Sequence, residues 1–176
     1  MARCFVTGRF SENKKFIYFK SSLNKGKGVN QVRLKSVFEN NGFMPAKYTC
    51  DAGDHSPEFI IEDVPEKTKS FAMTMEDRDS PIRAMVHWII FNIPADTREI
   101  KENTIPSASI QGTNDYGKCS YKGPCPDSAI HRYEFKLFAL DRVLEVDERT
   151  KKAELENLIR GRTLAEAILT GLYSRD

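Results

Sequence analysis

Hydrophobic and polar residues alternate along much of the chain after Gln31, as expected for β-strands with one buried face. In QVRLKSVF (31–38), apolar or small residues alternate with Arg33, Lys35 and Val37. This spacing predicts a half-buried strand at the beginning of the patterned region, because successive side chains of a strand point to opposite faces.

Four further segments predict strands. EFIIEDV (58–64) and SFAMTM (70–75) are short apolar runs joined by a Pro/Lys/Thr turn. MVHWIIFNI (85–93) is apolar on both faces, which is typical of a central strand covered on both sides, and Pro94 ends it. HRYEFKLFAL (131–140) places its aromatic and apolar residues on one face. The chain from residue 31 is therefore predicted to be mainly β.

The chain is predicted to finish with two helices. Thr150 is the predicted N-cap of KKAELENLIR (151–160), which carries an apolar stripe. In TLAEAILTGLY (163–173), Thr163 and Glu166 fit a capping box, and the apolar residues follow helical spacing. Neither stripe offers candidate chemistry, so we interpret both helices as packing elements.

Two loops interrupt the β pattern. EDRDSPIRA (76–84) is polar and lies between two apolar strands. Residues 106–130 are rich in Gly and Pro and show no strand or helix pattern. Loops of this length inside a domain are usually functional or disordered. The turn motifs GTNDYG and GPCP require defined backbone geometry, so we expect an ordered, site-forming loop.

The charge is distributed unevenly along the 176 residues. Residues 1–30 hold seven Lys or Arg against one Glu and carry +6, whereas the whole chain carries +2, so the remaining 146 residues carry −4. A mildly acidic body argues against a nucleic-acid partner. We interpret 1–30 as a basic extension, either partly ordered or an artefact of where the reading frame was taken to start, and 31–176 as the folded domain. A basic arm that contacts an acidic partner is the alternative.

Several observations bear on the compartment. No apolar run approaches the roughly 18 residues that span a bilayer, and residues 1–30 lack the apolar stretch of a secretory signal, so a cytoplasmic protein without integral membrane association is expected.

The four cysteines, Cys4, Cys50, Cys119 and Cys125, contain no CxxC pair, which argues against a zinc ribbon. Four cysteines allow three complete pairings. Reduced thiols are the expectation for the cytosol, with a disulfide left open.

Two of the three histidines lie inside predicted strands. In a strand of period two, His87 shares a face with Met85, Ile89, Phe91 and Ile93. A single histidine in such a strand is usually a core residue that a neighbour satisfies. On this pattern alone, packing is the favoured interpretation of His87.

The strand ends nevertheless bring polar residues toward one another. His131 begins a strand at the end of the long loop, and Asp77 and Asp79 follow SFAMTM. Strand ends beside Gly/Pro loops are where sites collect. The candidate site is therefore Asp77, His87, His131 and Tyr133, with the backbone of Gly123 beside them. The alternative is that the aspartates make local turn bonds and Tyr133 is a core aromatic.

Two imidazoles, a phenol and loop amides can donate hydrogen bonds to an anion such as phosphate or a carboxylate. Asp77 fits such a site if it orients or protonates a histidine, or if it faces the cationic part of a zwitterionic ligand. A zinc site from His, His and Asp is a competitor that no HxH or HExxH spacing supports. Nucleophilic catalysis has little support, since GxSxG is absent and Ser80 has no assigned base. No cofactor is expected.

Long motifs in order across residues 33–173 resemble those of the phosphatidylethanolamine-binding protein family, also called the Raf kinase inhibitor protein family, in its bacterial and archaeal branch. They are MPAKYTCDAGDHSP (44–57), TKSFAMTMEDRDSP (68–81), VHWIIFNIP (86–94), GTNDYGKCSYKGPCPDSAIHRYEFKLFALD (112–141) and TLAEAILTGLY (163–173). Arg78 and Ser80 stand where the family's DPDAP motif has Pro and Ala.

The resemblance implies a β-sandwich-like assembly of antiparallel sheets with a few peripheral helices. It also implies a small anion pocket for phosphate or phosphorylethanolamine-like head groups. Carried over motif by motif, the ligand-binding residues are Asp77, Asp79, His87, Gly123, His131 and Tyr133. Arg78 could alter the ligand preference, because it makes the loop more cationic.

The function that follows is a non-enzymatic binding protein for phosphate or a phospholipid head group, which regulates a partner kinase or protease. One alternative is a serine protease inhibitor that acts through the exposed loop 106–130. A weaker alternative is a hydrolase or lyase that uses His87 and His131 as acid and base. The resemblance also implies a homodimer.

Overall fold

The computed structural model describes residues 31–175, so the predicted extension 1–30 lies outside the described residues. This part of the chain contains nine strands, one 3-10 helix (Ala46–Tyr48) and one α-helix, α1 (Lys152–Ile159). The strands are β1 (Arg33–Ser36), β2 (Gly42–Phe43), β3 (Phe59–Glu62), β4 (Ser70–Asp77), β5 (Met85–Pro94), β6 (Glu99–Ile100), β7 (Ile110–Gln111), β8 (His131–Leu140) and β9 (Thr163–Tyr173).

The strands form two sheets. A six-stranded sheet has the order β2-β9-β8-β4-β5-β7, and a three-stranded sheet has the order β1-β3-β6. Neighbouring strands are antiparallel except β2 and β9, which are parallel. The prediction of a mainly β protein with antiparallel sheets is confirmed. No helix in the stretch 31–175 is long and apolar enough to cross a membrane.

The main core lies between the two sheets. Phe59 of the small sheet packs against Phe135 and Trp88 of the large sheet, with ring centroids 5.0 Å and 6.4 Å apart. A second apolar cluster on the opposite face of the large sheet contains Leu155 and Ile159 of α1. Because the large sheet is covered on both faces, its central strands are apolar on both faces, as predicted for β5.

Two irregularities in the β4–β5 ladder correct the predicted face of β5. Met75 pairs with Trp88 but Glu76 pairs with Val86, so His87 is an extra residue on β5, and a second shift follows Ile90. Each bulge reverses the alternation of side chains.

The prediction that His87 shares a face with Met85, Ile89, Phe91 and Ile93 is therefore wrong. Ile89 and Phe91 belong to the cluster under α1, whereas Ile93 lies in the core between the sheets. The His87 ring packs against Tyr133, which is also part of that inter-sheet core.

The first C-terminal helix is present as α1, but its predicted cap is wrong. Lys151 occupies the N-cap position and makes no side-chain capping bond. The Thr150 hydroxyl instead accepts a hydrogen bond from the Asp147 amide at 3.3 Å. It is thus used to close the preceding turn, which leaves no capping group for the helix.

The second predicted helix is wrong, because residues 163–173 form β9. This strand pairs with β8 along its length, from Leu140 opposite Thr163 to His131 opposite Tyr173. Without β9, the ten-residue strand β8 would expose an unpaired edge. Tertiary pairing therefore overrides the helical spacing. The Thr163 hydroxyl donates to the Ile159 carbonyl at 3.2 Å instead of forming a capping box with Glu166.

A disulfide joins Cys50 and Cys125, which are 75 residues apart in sequence, whereas Cys119 is a free thiol. The expectation of reduced thiols is therefore wrong for this pair. The Cys50 amide also donates to the Pro124 carbonyl at 3.0 Å. These two links fix the end of the long loop 106–130 to the turn after the 3-10 helix. The loop also contains the short strand β7, which was not predicted from the sequence.

We expect the double variant Cys50→Ser/Cys125→Ser to lower the free energy of unfolding by up to about 4 kcal/mol, because the cross-link restricts a long loop in the unfolded chain. Urea unfolding without reductant, which keeps the disulfide of the parent protein intact, would measure the loss. Cys119→Ser is the matched control and should stay within about 0.5 kcal/mol of the parent. An equal loss in both variants would contradict the assigned pairing.

Candidate functional site

Four of the predicted site residues meet at one end of the large sheet. Asp77 is the last residue of β4, His87 lies near the start of β5, and His131 and Tyr133 begin β8. Because β4 lies between the other two strands, Asp77 is opposite Tyr133 on one side and opposite Met85 on the other. We refer to Asp77, His87, His131 and Tyr133 as the His cluster.

Tyr133 lies between the two histidines. Its ring centroid is 5.3 Å from that of His87, in an edge-on arrangement, and 6.4 Å from that of His131. The Tyr133 hydroxyl is buried and has no hydrogen-bond partner within residues 31–175. Burial raises the pKa of Tyr133 far above its usual range, and the Asp77 carboxylate adds to the rise through its charge and through a contact with the hydroxyl that lacks the geometry of a hydrogen bond. The phenol therefore stays neutral and keeps its proton to donate.

His131 is oriented by Asp77. Its Nδ1 lies 2.8 Å from Asp77 Oδ2, and both side chains are largely buried. A carboxylate oxygen accepts hydrogen bonds, so Nδ1 donates to Asp77 and Nε2 takes no part in this bond. The other carboxylate oxygen of Asp77 accepts the Asp79 amide at 2.9 Å. Asp77 is thus fixed through both oxygens, which sets the orientation of the imidazole.

His87 is held by the long loop. Its Nδ1 donates to the Lys122 carbonyl at 2.8 Å, and its Nε2 lies 3.4 Å from the Tyr116 hydroxyl. The His87 side chain is buried, and this burial lowers its pKa. At neutral pH the ring is therefore uncharged, and its Nε2 accepts hydrogen bonds.

Gly123 is adjacent to the His cluster, but its amide already has a partner. It donates to Asp54 Oδ1 at 2.9 Å, while the Lys122 ammonium donates to Asp54 Oδ2 at 2.6 Å. A Cβ at position 123 would lie 2.6 Å from the Tyr48 carbonyl oxygen and 2.8 Å from the Thr49 Cα, so only glycine fits. The donors expected to serve an external anion are therefore occupied by a carboxylate of the protein itself.

Asp79 is not brought into the His cluster. Its carboxylate binds the Arg132 guanidinium in a fork, with Oδ1 2.6 Å from one terminal nitrogen and Oδ2 2.9 Å from Nε. These bonds hold the pKa of Asp79 at about 2. Its contribution to the cluster is indirect, through the backbone amide that it donates to Asp77.

Arg78, the replacement for the family's Pro, points away from the His cluster. Its guanidinium lies 3.4 Å from Glu76 and 3.3 Å from Glu134. Glu76 precedes Asp77 on β4 and lies on the opposite face of the sheet, as alternation requires. The expectation that Arg78 makes the pocket more cationic therefore has no support in this geometry, because the added charge is used on the other face.

Three residues that sequence reasoning missed also surround the site: Asp54, Tyr116 and Lys122. Asp54 and Lys122 form the ion pair beside Gly123, and Tyr116 packs edge-on against His87 with centroids 5.2 Å apart. Tyr116 lies in GTNDYG and Lys122 directly precedes GPCP. These turn motifs predict a site-forming loop, but they do not single out either side chain. Asp54 has φ +56°, and no local pattern links it to a residue so far along the chain.

Asn114 positions Tyr116 and His87 together. Its side-chain oxygen accepts the amides of Tyr116 and Lys118, both at 3.0 Å, which is an Asn-centred turn. Its side-chain amide donates to the His87 carbonyl at 3.0 Å. The Asn-Asp pair enclosed between Gly112 and Gly117 is the sequence signal that could have identified this residue.

The donor set does not match a metal site. Across residues 31–175, no group of three or more His, Cys, Asp or Glu side chains is placed to hold a metal ion. Both imidazoles are instead held through Nδ1, by a carboxylate and a carbonyl. Each Nε2 therefore accepts when the ring is neutral and donates when it is protonated, so an anion at this site would favour protonation.

Comparison with known proteins gives a consistent family assignment. The model of the phosphatidylethanolamine-binding protein family matches residues 34–174. A UPF0098 protein of the archaeon Methanothermobacter thermautotrophicus is 42% identical over 150 residues, which cover 82% of this chain and 99% of the relative. A UPF0098 protein of the bacterium Aquifex aeolicus is 43% identical over 158 residues, covering 86% of this chain and 92% of the relative.

Solved structures show the same architecture. A Chlamydia trachomatis protein described as a phosphatidylethanolamine-binding protein homologue superposes with a TM-score of 0.80 at 34% identity, covering 84% of this chain and all of that one. Escherichia coli YbcL, described as a member of the mammalian family, superposes with a TM-score of 0.77 at 28% identity, covering 83% and 99% of the two chains. On the match over residues 34–174 and these relatives, the chain belongs to the phosphatidylethanolamine-binding protein family.

Proposed function

We propose that this protein is a non-enzymatic binding protein that holds a phosphate group, free or in a phosphorylethanolamine-like head group, at the His cluster. The observation that carries the proposal is the buried Tyr133 hydroxyl, which lacks a partner among the described residues and lies between two imidazoles. Buried polar groups are normally hydrogen-bonded, so a donor left alone beside two titratable rings fits an anionic ligand.

The surrounding charges favour a zwitterion over a simple anion. Asp77 and Asp54 bring two carboxylates to the region, and Lys122 brings one ammonium, which is already bonded to Asp54. A phosphate would take donors from Tyr133 and from the protonated rings, and an ammonium elsewhere on the ligand would be attracted to the carboxylates. Phosphorylethanolamine carries both groups.

The enzymatic alternative has less support. The Asp77–His131 pair resembles a base and its orienting carboxylate, but a nucleophile must lie within hydrogen-bond reach of the base. Among residues 31–175, the hydrogen-bond partners of the His87 and His131 rings are the Lys122 carbonyl, the Tyr116 hydroxyl and the Asp77 carboxylate, and none is a Ser, Thr or Cys side chain. We therefore retain a hydrolase or lyase only as the lesser hypothesis.

Other predictions stand as proposals of lower rank. They are regulation of a partner kinase or protease, serine protease inhibition through loop 106–130, a homodimer and a cytoplasmic location. The Cys50–Cys125 disulfide weighs against a strongly reducing compartment, since such bonds persist mainly where conditions are oxidising.

We expect titration of the full chain with O-phosphorylethanolamine or inorganic phosphate to shift the imidazole NMR signals of His87 and His131 and to leave those of the partly exposed His55, which lies beside Glu102, in place. Tyr133→Phe removes only the hydroxyl and should weaken binding about two- to tenfold, the value of one hydrogen bond. Tyr173→Phe, which removes a hydroxyl bonded to Asp51 outside the cluster, is the control. Unmoved cluster signals at millimolar ligand, or full affinity in Tyr133→Phe, would refute the proposal.

Asp54→Asn is expected to tighten phosphate binding several-fold, because it removes the charge that competes for the Gly123 amide and the Lys122 ammonium. Asn also tolerates the positive φ of this position. Asp51→Asn in the same turn, whose carboxylate binds Tyr173 and Arg175, is the matched control. Isothermal titration would measure both. Unchanged or weaker binding in Asp54→Asn would show that the anion does not use these donors.

Binding of sulfate, a dianion that does not titrate near neutrality, should strengthen as the pH falls from about 7 to 5. The pKa of His87 is lowered by burial in the free protein, and an anion would raise it again, so binding takes up a proton in the window between these two pKa values. The slope is at most tenfold per pH unit for each proton taken up, or about 1.4 kcal/mol. His87→Asn should lose part of the slope, and His55→Asn should keep it. A flat profile in the parent protein would contradict this assignment.

A further inference from the structure

A second cleft lies on the opposite face of the large sheet from the His cluster. It has a volume of about 400 Å³ and lies between α1 and strands β8 and β9. Thr74 and Glu76 of β4 line it together with Phe138, Ile168, Leu155 and Ile159. This volume falls within the range of small-molecule sites, roughly 300–1,000 Å³. Besides its apolar side chains, the cleft is lined by three basic residues, Lys136, Lys152 and Arg160, and by three acidic residues, Glu76, Glu156 and Glu166.

Two buried polar groups in this cleft lack partners. Glu76 is fully buried and Thr74 is 2% exposed. Within the described part of the chain, neither Glu76 Oε1 nor the Thr74 hydroxyl makes a hydrogen bond. The two residues are two positions apart on β4 and therefore project from the same face of the sheet. Buried acceptors without donors are costly, so a pair of them in one cleft points to a ligand that supplies the donors.

The charge of Glu76 is already compensated. Its Oε2 accepts from Lys152 Nζ at 2.8 Å and lies 3.4 Å from the Arg78 guanidinium. Lys152 also contacts Glu156 at 3.1 Å. Burial tends to lower the pKa of Lys152, but the bonds to Glu76 and Glu156 outweigh it and raise the pKa, so the ammonium stays charged. The three basic and three acidic side chains that line the cleft balance, so it offers no surplus charge of either sign to an ionic ligand.

We propose that this cleft is a binding site for a small neutral molecule with an apolar body and a hydroxyl or amide head. The head would donate to Glu76 Oε1 and exchange a hydrogen bond with the Thr74 hydroxyl. The body would pack against Phe138, Leu155 and Ile159. The site is independent of the His cluster, because Glu76 and Asp77 leave the same strand on opposite faces.

The test uses probes that share one chain and differ in the head: 1-hexanol, hexanamide, hexylammonium and hexanoate. On the full chain with labelled isoleucine methyl groups, 1-hexanol and hexanamide should shift the signals of Ile159 and Ile168 at millimolar concentration, and the two charged probes should bind at least several-fold more weakly. The imidazole signals of His87 and His131 should not move. Equal or tighter binding of a charged probe, or no shift with any probe, would overturn the proposal.

Thr74→Val keeps the side-chain shape and the charges, and removes only the hydroxyl. It should weaken hexanamide binding about two- to tenfold while phosphate binding at the His cluster stays unchanged. Glu76→Gln should weaken it as well, and Glu154→Gln, which changes an exposed carboxylate of α1 outside the cleft, is the matched control. If Thr74→Val binds hexanamide as tightly as the parent protein, the assigned head-group contact is wrong.

Discussion

The structure depends on the position of β4 between β5 and β8. All eight residues of β4 are buried, and the strand is hydrogen-bonded on both sides along most of its length. Because its side chains alternate between two covered faces, consecutive residues serve different environments. Asp77 reaches the histidines at the end of the inter-sheet core, and Glu76 reaches the cleft beneath α1. A one-residue slip in this register would exchange the two carboxylates and dismantle both arrangements at once.

His87 can belong to an apolar central strand because it sits at a bulge. The extra residue opposite β4 directs the imidazole toward Tyr133 although its neighbour Trp88 also enters the inter-sheet core. The long loop then satisfies the groups around it, since the Lys122 carbonyl accepts from the ring and Asn114 donates to the His87 carbonyl. A bulge beside a site is a common way to re-aim a side chain. The loop 106–130 therefore contributes hydrogen bonds that hold His87 in the site.

The sequence predicted β1, β3, β4, β5 and β8 because period two is a strong local signal, and the family motifs predicted that Asp77, His87, His131 and Tyr133 lie together. The strands β2, β6 and β7 have only two residues each, which is too short to show a period. The sequence could not predict that the side chains of β5 change faces at its bulges, because no local residue pattern marks the position of a bulge. Residues 163–173 fit both periods: Ala165 and Leu169, which are buried against the core, are four apart and also two steps of a strand. Only the unpaired edge of β8 decides between helix and strand. Likewise the Asp54–Lys122 pair joins residues 68 positions apart, beyond the reach of any local pattern.

The Asp54 carboxylate already occupies two of the hydrogen-bond donors beside the His cluster. Its two carboxylate oxygens hold the Gly123 amide and the Lys122 ammonium in the manner in which an external anion would hold them. An internal carboxylate of this kind keeps the loop ordered without ligand, because the donors are never left unsatisfied. It also adds a cost to binding, because a ligand that uses these two donors must first displace the Asp54 carboxylate. A ligand that contacts only Tyr133 and the imidazoles does not meet this cost. Preference among phosphate-bearing ligands in this protein would therefore depend on how strongly each competes with, or complements, the Asp54 carboxylate.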